Sequence, residues 1–282
     1  MQGFFTPSFF ALMWLKLGLD AHLLPKSVEK NSSTAVLVLA GAAILLGLLL
    51  LGVYGRIIWL LSGEPLRWAG LGKREQRRFE DATTRSASAD EAVKVAGLLE
   101  LDQRFPSKAS RLKPTRFGNA AAATISYAES RWHLDSNVVW PRIEAMLTEQ
   151  ENSLHGEATS NLAFLVNSTV GSGVVGTLLA LDGVIYRFHD PEWSWIHLLP
   201  TYFVLPLAAA YLLYGVSVEA LLRWNERIRA SIDLHRLELY DRLGVRRPAS
   251  PADEERLALV VNQLLVYGEP KLPTSARART RP

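Results

Sequence analysis

The run from Thr34 to Leu61, TAVLVLAGAAILLGLLLLGVYGRIIWLL, carries one charge, Arg56, near its end. A helix needs about 20 largely apolar residues to cross the hydrocarbon core of a bilayer. This run exceeds that length, and a buried core helix is rarely so long or so pure. It predicts a transmembrane helix, with Arg56 reaching back to the headgroups and Trp59 anchoring the interface.

Two further runs meet the same criterion. Leu162 to Ile185 has Asp182 as its only charge, and Trp195 to Leu222 has only Glu219, each near an end. The polar stretch Arg187 to Trp193 between them contains Pro191, a turn signal. Residues 159–223 therefore read as a transmembrane hairpin. Phe4 to Leu24, within residues 1–33, is also apolar but is interrupted by Lys16 and Asp20. It reads as a helix lying in the interface, with a fourth span as the alternative. No basic stretch precedes it, so it fits a secretory signal poorly. The expected fold class is an all-α integral membrane protein with three transmembrane helices, or four if this segment also crosses.

Lysines and arginines beside the spans set the orientation. Arg67, Lys73, Arg74, Arg77 and Arg78 follow the first span, and Arg223, Arg227 and Arg229 follow the third, against Arg187 alone in the hairpin turn. The count predicts residues 63–158 and the C-terminus on the cytoplasmic side of a bacterial plasma membrane. Helical periodicity recurs in 63–158: Lys73 to Arg85, Asp90 to Asp102, Asn119 to Trp132 and Asn137 to Gln150. Residues 224–268 continue as a charged helix, Arg223 to Leu243, stopped by Gly244 and followed by a second helix over Arg256 to Val266. The tail, 269–282, is rich in Pro, Ser and Arg and is expected to be disordered.

Composition excludes several chemistries. The absence of cysteine removes disulfides, thiolate metal sites and cysteine nucleophiles. No two of the six histidines are spaced for a helical metal site. A formal net charge of +3 gives no basic face suited to nucleic acid. No nucleophile, base and orienter converge on a common pattern, so neither catalytic residues nor a cofactor are expected.

Gly171-Ser-Gly173-Val-Val-Gly176 spells a dinucleotide fingerprint, but it lies within an apolar run with no preceding strand. Ser168, Ser172, Gly176 and Ala180 instead repeat every four residues, a small-residue face suited to close helix packing, with Val175 expected on another face. In the soluble stretch, Arg111-Leu-Lys113-Pro-Thr-Arg116-Phe-Gly-Asn119 gathers cations beside a Pro and a Gly, with Asn119 as the expected helix cap.

Pro114-Thr115-Arg116-x-Gly118-Asn119, then Trp140-Pro141-Arg142, then Asp233-Leu234-His235-Arg236-x-x-Leu239-Tyr240 resembles the pattern of an uncharacterised family of bacterial multi-spanning membrane proteins. The resemblance covers roughly residues 111 to 245. It implies that these positions form one cytoplasmic assembly and transfers no activity or catalytic residue. Arg116 and Arg142 are expected to pair with Asp233, Glu238 or Asp241 on the helix after the third span. The expected function is a non-enzymatic membrane component: a scaffold, an accessory subunit or a signalling subunit. Its partners would be the lipid bilayer, a second copy or another membrane protein. An oligomeric transporter or channel subunit and a membrane-bound enzyme acting on lipid are the alternatives.

Overall fold

The structure, a computed structural model, describes residues 7, 8, 12, 13, 32–69, 72–189 and 204–268. The expectations for Phe4 to Leu24, for most of the hairpin turn, for the start of the third span and for the tail lie outside the described residues. The described residues form eight α-helices and no strand: α1 (Ser32–Leu61), α2 (Lys73–Ser86), α3 (Glu91–Arg104), α4 (Arg116–Trp132), α5 (Ser136–Glu144), α6 (Glu149–His189), α7 (Leu205–Arg242) and α8 (Pro251–Tyr267). Short 3₁₀ turns occupy Glu64–Ala69 and Ala109–Arg111. Three helices, α1, α6 and α7, are long and apolar enough to cross a membrane.

Two helix boundaries differ from the sequence reading. The helix expected over Asn137 to Gln150 is broken after Glu144, and α6 starts afresh at Glu149. Thr148 and Glu151 form a capping box there. The Glu151 backbone N–H donates to Thr148 Oγ1 at 3.3 Å, and Glu151 Oε2 accepts from the Thr148 N–H at 2.8 Å. Helix α4 starts at Arg116 with Thr115, not Asn119, as its cap.

The chain divides into two compact units, Met1–Leu60 with Glu157–Ala220 and Leu61–Gly156 with Leu221–Pro282. In the first, only 11% of the window Ile44–Leu61 is covered by protein, and Ile44, Leu45, Leu48 and Leu49 are exposed. An apolar helix left this bare suits a lipid solvent rather than water. Helices α6 and α7 pack antiparallel within this unit. A Cβ on Gly176 would lie 3.0 Å from Leu207, one on Gly173 would lie 3.9 Å from Ala210, and Thr169 Oγ1 sits 3.1 Å from Ser217 Oγ.

The seam thus runs through Thr169, Gly173 and Gly176. Of the expected face Gly176 lies on it, and Ser168, Ser172 and Ala180 are half-buried, as Gly173 is. A stripe taken every four residues drifts around a 3.6-residue helix, whereas a straight seam alternates steps of four and three. Val175, expected on another face, is itself buried at 5% exposure.

The second unit joins the two stretches outside the spans, 63–158 and 224–268. Its core is Ala128, Leu134, Val139, Ile143, Ile228, Ile232, Leu239, Tyr240, Leu257 and Val261, drawn from α4, α5, α7, α8 and the link between α4 and α5. Neither stretch closes this core by itself, so the helix after the third span is structural for the central region. Helices α2 and α3 form a hairpin beside it. Gly97 lets them touch, because a Cβ there would lie 2.5 Å from the Ser86 nitrogen.

Candidate functional site at the exit of the first span

The apolar run ends at Leu61, and Gly63 turns the chain at a positive φ of 77°. Residues 113–119 close on this exit. The Thr115 hydroxyl donates to the Leu61 carbonyl at 2.7 Å and accepts from the Gly118 N–H at 3.0 Å. One side chain therefore satisfies an orphan carbonyl at the end of α1 and an orphan amide at the start of α4. Gly118 is required by the close approach, since a Cβ would sit 2.4 Å from the Ser62 carbonyl oxygen.

Asn119 is fully buried and holds the loop from inside. Its Oδ1 accepts from the Lys113 N–H at 2.7 Å, and its Nδ2 donates to the Lys113 carbonyl at 3.1 Å and to Glu75 Oε2 at 3.2 Å. Glu75, 5% exposed, is also bridged by Arg78 at 3.1 and 3.2 Å. Arg116 comes to 4.0 Å of the same carboxylate.

Two cations stand at the exit and two more lie farther along α4. Lys113 and Arg67 both meet Glu64, the latter at 3.6 Å. Arg111 and Lys108 both meet Glu129, the latter at 3.1 Å. Glu64 is held below the usual carboxylate range, first by its hydrogen bond from Lys113, and Glu129 likewise, first by that from Arg111. Arg67, Arg111 and Lys113 line a groove of about 720 Å³ with Ile125, Glu129 and Asp135. Arg67 and Lys113 also line a neighbouring cavity of about 370 Å³, with Phe79, Leu112 and Pro114. Asn262 closes the far wall, accepting from the Asp135 N–H at 3.0 Å and donating to the His133 carbonyl at 2.9 Å.

The remaining motif residues also engage the chain itself. Asp233 accepts from the Tyr127 hydroxyl at 2.7 Å and from Trp132 Nε1 at 2.6 Å. The Tyr127 phenol is raised to about 12, by burial first and by the Asp233 carboxylate second. Arg236 stacks 3.5 Å from the Trp132 ring centre and donates to Glu254 at 2.9 Å. Trp140 packs edge-to-face on His155, with ring centres 5.2 Å apart.

The expected pairing of Arg116 and Arg142 with the helix after the third span is overturned. Arg116 is next to Glu75, and Arg142 donates to the Val138 carbonyl at 2.6 Å and the Leu265 carbonyl at 3.3 Å. Glu238 pairs with Arg242 at 2.8 Å and Asp241 with Arg247 at 2.6 Å. Asp233 meets α4 near Tyr127 and Trp132, about 17–24 Å along that helix from Arg116. Arg142 instead serves the C-terminal end of α8, where carbonyls are unpaired and the helix dipole is negative.

Several residues that build this unit were not visible as such in the sequence. Glu75 sits in KREQRRFE, which reads as a solvated face. Arg229 is buried, donates to Asp102 at 2.7 Å and lies 4.7 Å from the Tyr127 ring centre. Asn262 had one signal, an amide beside Gln263 in the otherwise apolar run LALVVNQLLV.

Comparison of the chain with protein-family models, with curated proteins and with solved structures gives no match. The geometry of the unit is therefore the basis for a functional reading.

Proposed function

We propose that the protein is a non-enzymatic component of a bacterial plasma membrane, acting as a scaffold, accessory or signalling subunit. The observation that carries this reading is how the distinctive residues are used. Thr115, Gly118, Asn119, Asp233 and Arg236 are each engaged with the chain itself. An enzyme site needs a nucleophile, base and orienter converging on open space. Here the polar groups are spent on tying the exit of the first span to α4, and α7 to α4 and α8. Such a unit presents a fixed surface to other components on one side of the membrane. The basic residues after the first and third spans support a cytoplasmic position for it.

Two measurements test this reading. Purified protein in liposomes should leave solute leak at the level of empty liposomes and leave labelled phospholipid unmodified. Leak or turnover that rises with the amount of protein would overturn it. A single cysteine at Ser107, in this cysteine-free chain, should resist a membrane-impermeant reagent in intact cells. Labelling from outside would reverse the orientation.

A further inference from the structure

We propose that the groove at the exit of the first span binds the headgroup of an anionic phospholipid. The first ground is charge. On this wall four cations, Arg67, Lys108, Arg111 and Lys113, share two carboxylates, Glu64 and Glu129. Asp135, the third carboxylate of the groove, accepts from the Asn137 N–H at 2.9 Å as the cap of α5, and counted with it the cations exceed the carboxylates by one. Arg67 is the least satisfied of the four, with 57% of its side chain exposed and its carboxylate 3.6 Å away. A guanidinium in that state offers paired donors to a phosphate.

The second ground is depth. Thr115 hydrogen-bonds the carbonyl of Leu61, the last residue of the apolar helix, so the loop carrying Lys113 is pinned to the end of the hydrocarbon-spanning run. Headgroups occupy roughly 5–8 Å on each side of the hydrocarbon core. Arg67 and Lys113, which share Glu64 beside the end of the apolar run, therefore stand at headgroup level.

The third ground is shape. Arg67 and Lys113 border both the groove and a smaller cavity lined by Phe79, Leu112 and Pro114 together with Gln76 and Glu80. Phosphate on the two cations with glycerol against Phe79, Leu112 and Pro114 suits an amphiphile better than a bare anion.

The test uses the full chain in neutral detergent at low salt and three probes: dihexanoyl phosphatidylglycerol, dihexanoyl phosphatidylcholine and inorganic phosphate. Binding should be seen with phosphatidylglycerol and not with the zwitterionic lipid. Arg67→Gln should weaken it roughly fivefold, and Arg67→Gln with Arg111→Gln roughly twenty-fivefold, taking ~1 kcal/mol for each cation near a headgroup. Glu64→Gln should strengthen it, because Lys113 and Arg67 lose the anion they share. A merely structural ion pair would not produce that change of sign.

Equal binding of the two lipids overturns the proposal, as does wild-type affinity in Arg67→Gln. Equally tight binding of inorganic phosphate would reassign the groove to a soluble anion and overturn the lipid. Binding of an acidic peptide with no response to phosphatidylglycerol would assign it to a protein partner and also overturn it. Arg67→Gln and Glu64→Gln suffice if the double variant does not fold. Headgroup binding is independent of whether the protein is a scaffold, so failure here leaves the proposed function to its own tests.

Discussion

The two units solve the same problem, holding long helices together, by opposite means. In the membrane body, α6 and α7 meet through small residues, and one polar contact at their seam is a pair of hydroxyls. Each of these also lies 2.8 Å from the carbonyl four residues back, Thr169 from Leu165 and Ser217 from Leu213. In the helical unit, helices are tied by directed hydrogen bonds and ion pairs between side chains far apart in sequence. The difference follows from the solvent. In lipid, apolar surface gains little by meeting other apolar surface, so close contact decides packing. In water the apolar core drives folding, and buried polar groups then need partners.

The contrast is most sharply broken at Asp233. Asp233→Ala would strand the Tyr127 hydroxyl and the Trp132 indole N–H, each costing about 1–3 kcal/mol when left unpaired. We expect a loss of about 2–4 kcal/mol in denaturant melts of the detergent-solubilised protein. Thr169→Ala at the membrane seam should cost only about 0.6 kcal/mol. Comparable losses at the two sites would remove the distinction.

Glycines sharpen the comparison at the next level. Gly118→Ala pushes a methyl group into the Ser62 carbonyl, a backbone atom that cannot move aside, and should cost about 1–3 kcal/mol. Gly176→Ala meets the flexible Leu207 side chain at 3.0 Å and should cost less. The ranking of the two midpoints in thermal melts checks this. Gly176→Leu and Val175→Leu should both destabilise, by about 1–3 kcal/mol, because both positions are buried. Tolerance of Val175→Leu would show that its surroundings yield.

The smallest expected effect is one of pH. Asp253 accepts from Arg246 at 2.6 Å through both oxygens and from the Ala249 N–H at 3.0 Å. The Arg246 contact is the main cause that pulls it from 3.8 to about 2. Its folded value lies below its unfolded value. Its contribution is therefore present above about pH 4 and is lost as pH falls towards 2. Melts of Asp253→Asn between pH 5 and 2 (roughly the span over which such a carboxylate titrates) should show a shallower decline than wild type.

Much of this was legible along the chain. Apolar length identified α1, α6 and α7, and Gly244 marked the end of α7, where its φ is 68°. The motif residues all fall in the helical unit, yet their contacts were not legible. Arg116 and Asp233 each looked like half of an ion pair, and each met another partner. The capping pair Thr148 and Glu151 was readable in principle and was obscured by the helical pattern on either side.

The chain by itself determined the fold class and the helices able to cross a membrane, because the length and purity of an apolar run are local properties that any solvent reads directly. Tertiary structure decided which charge meets which. Tyr127 and Asp233 are 106 positions apart, and Lys113 and Glu64 are 49 apart. Their pairing depends on how helices pack, since an ion pair or hydrogen bond forms only within a few ångströms, a distance that sequence spacing does not encode beyond one or two helical turns.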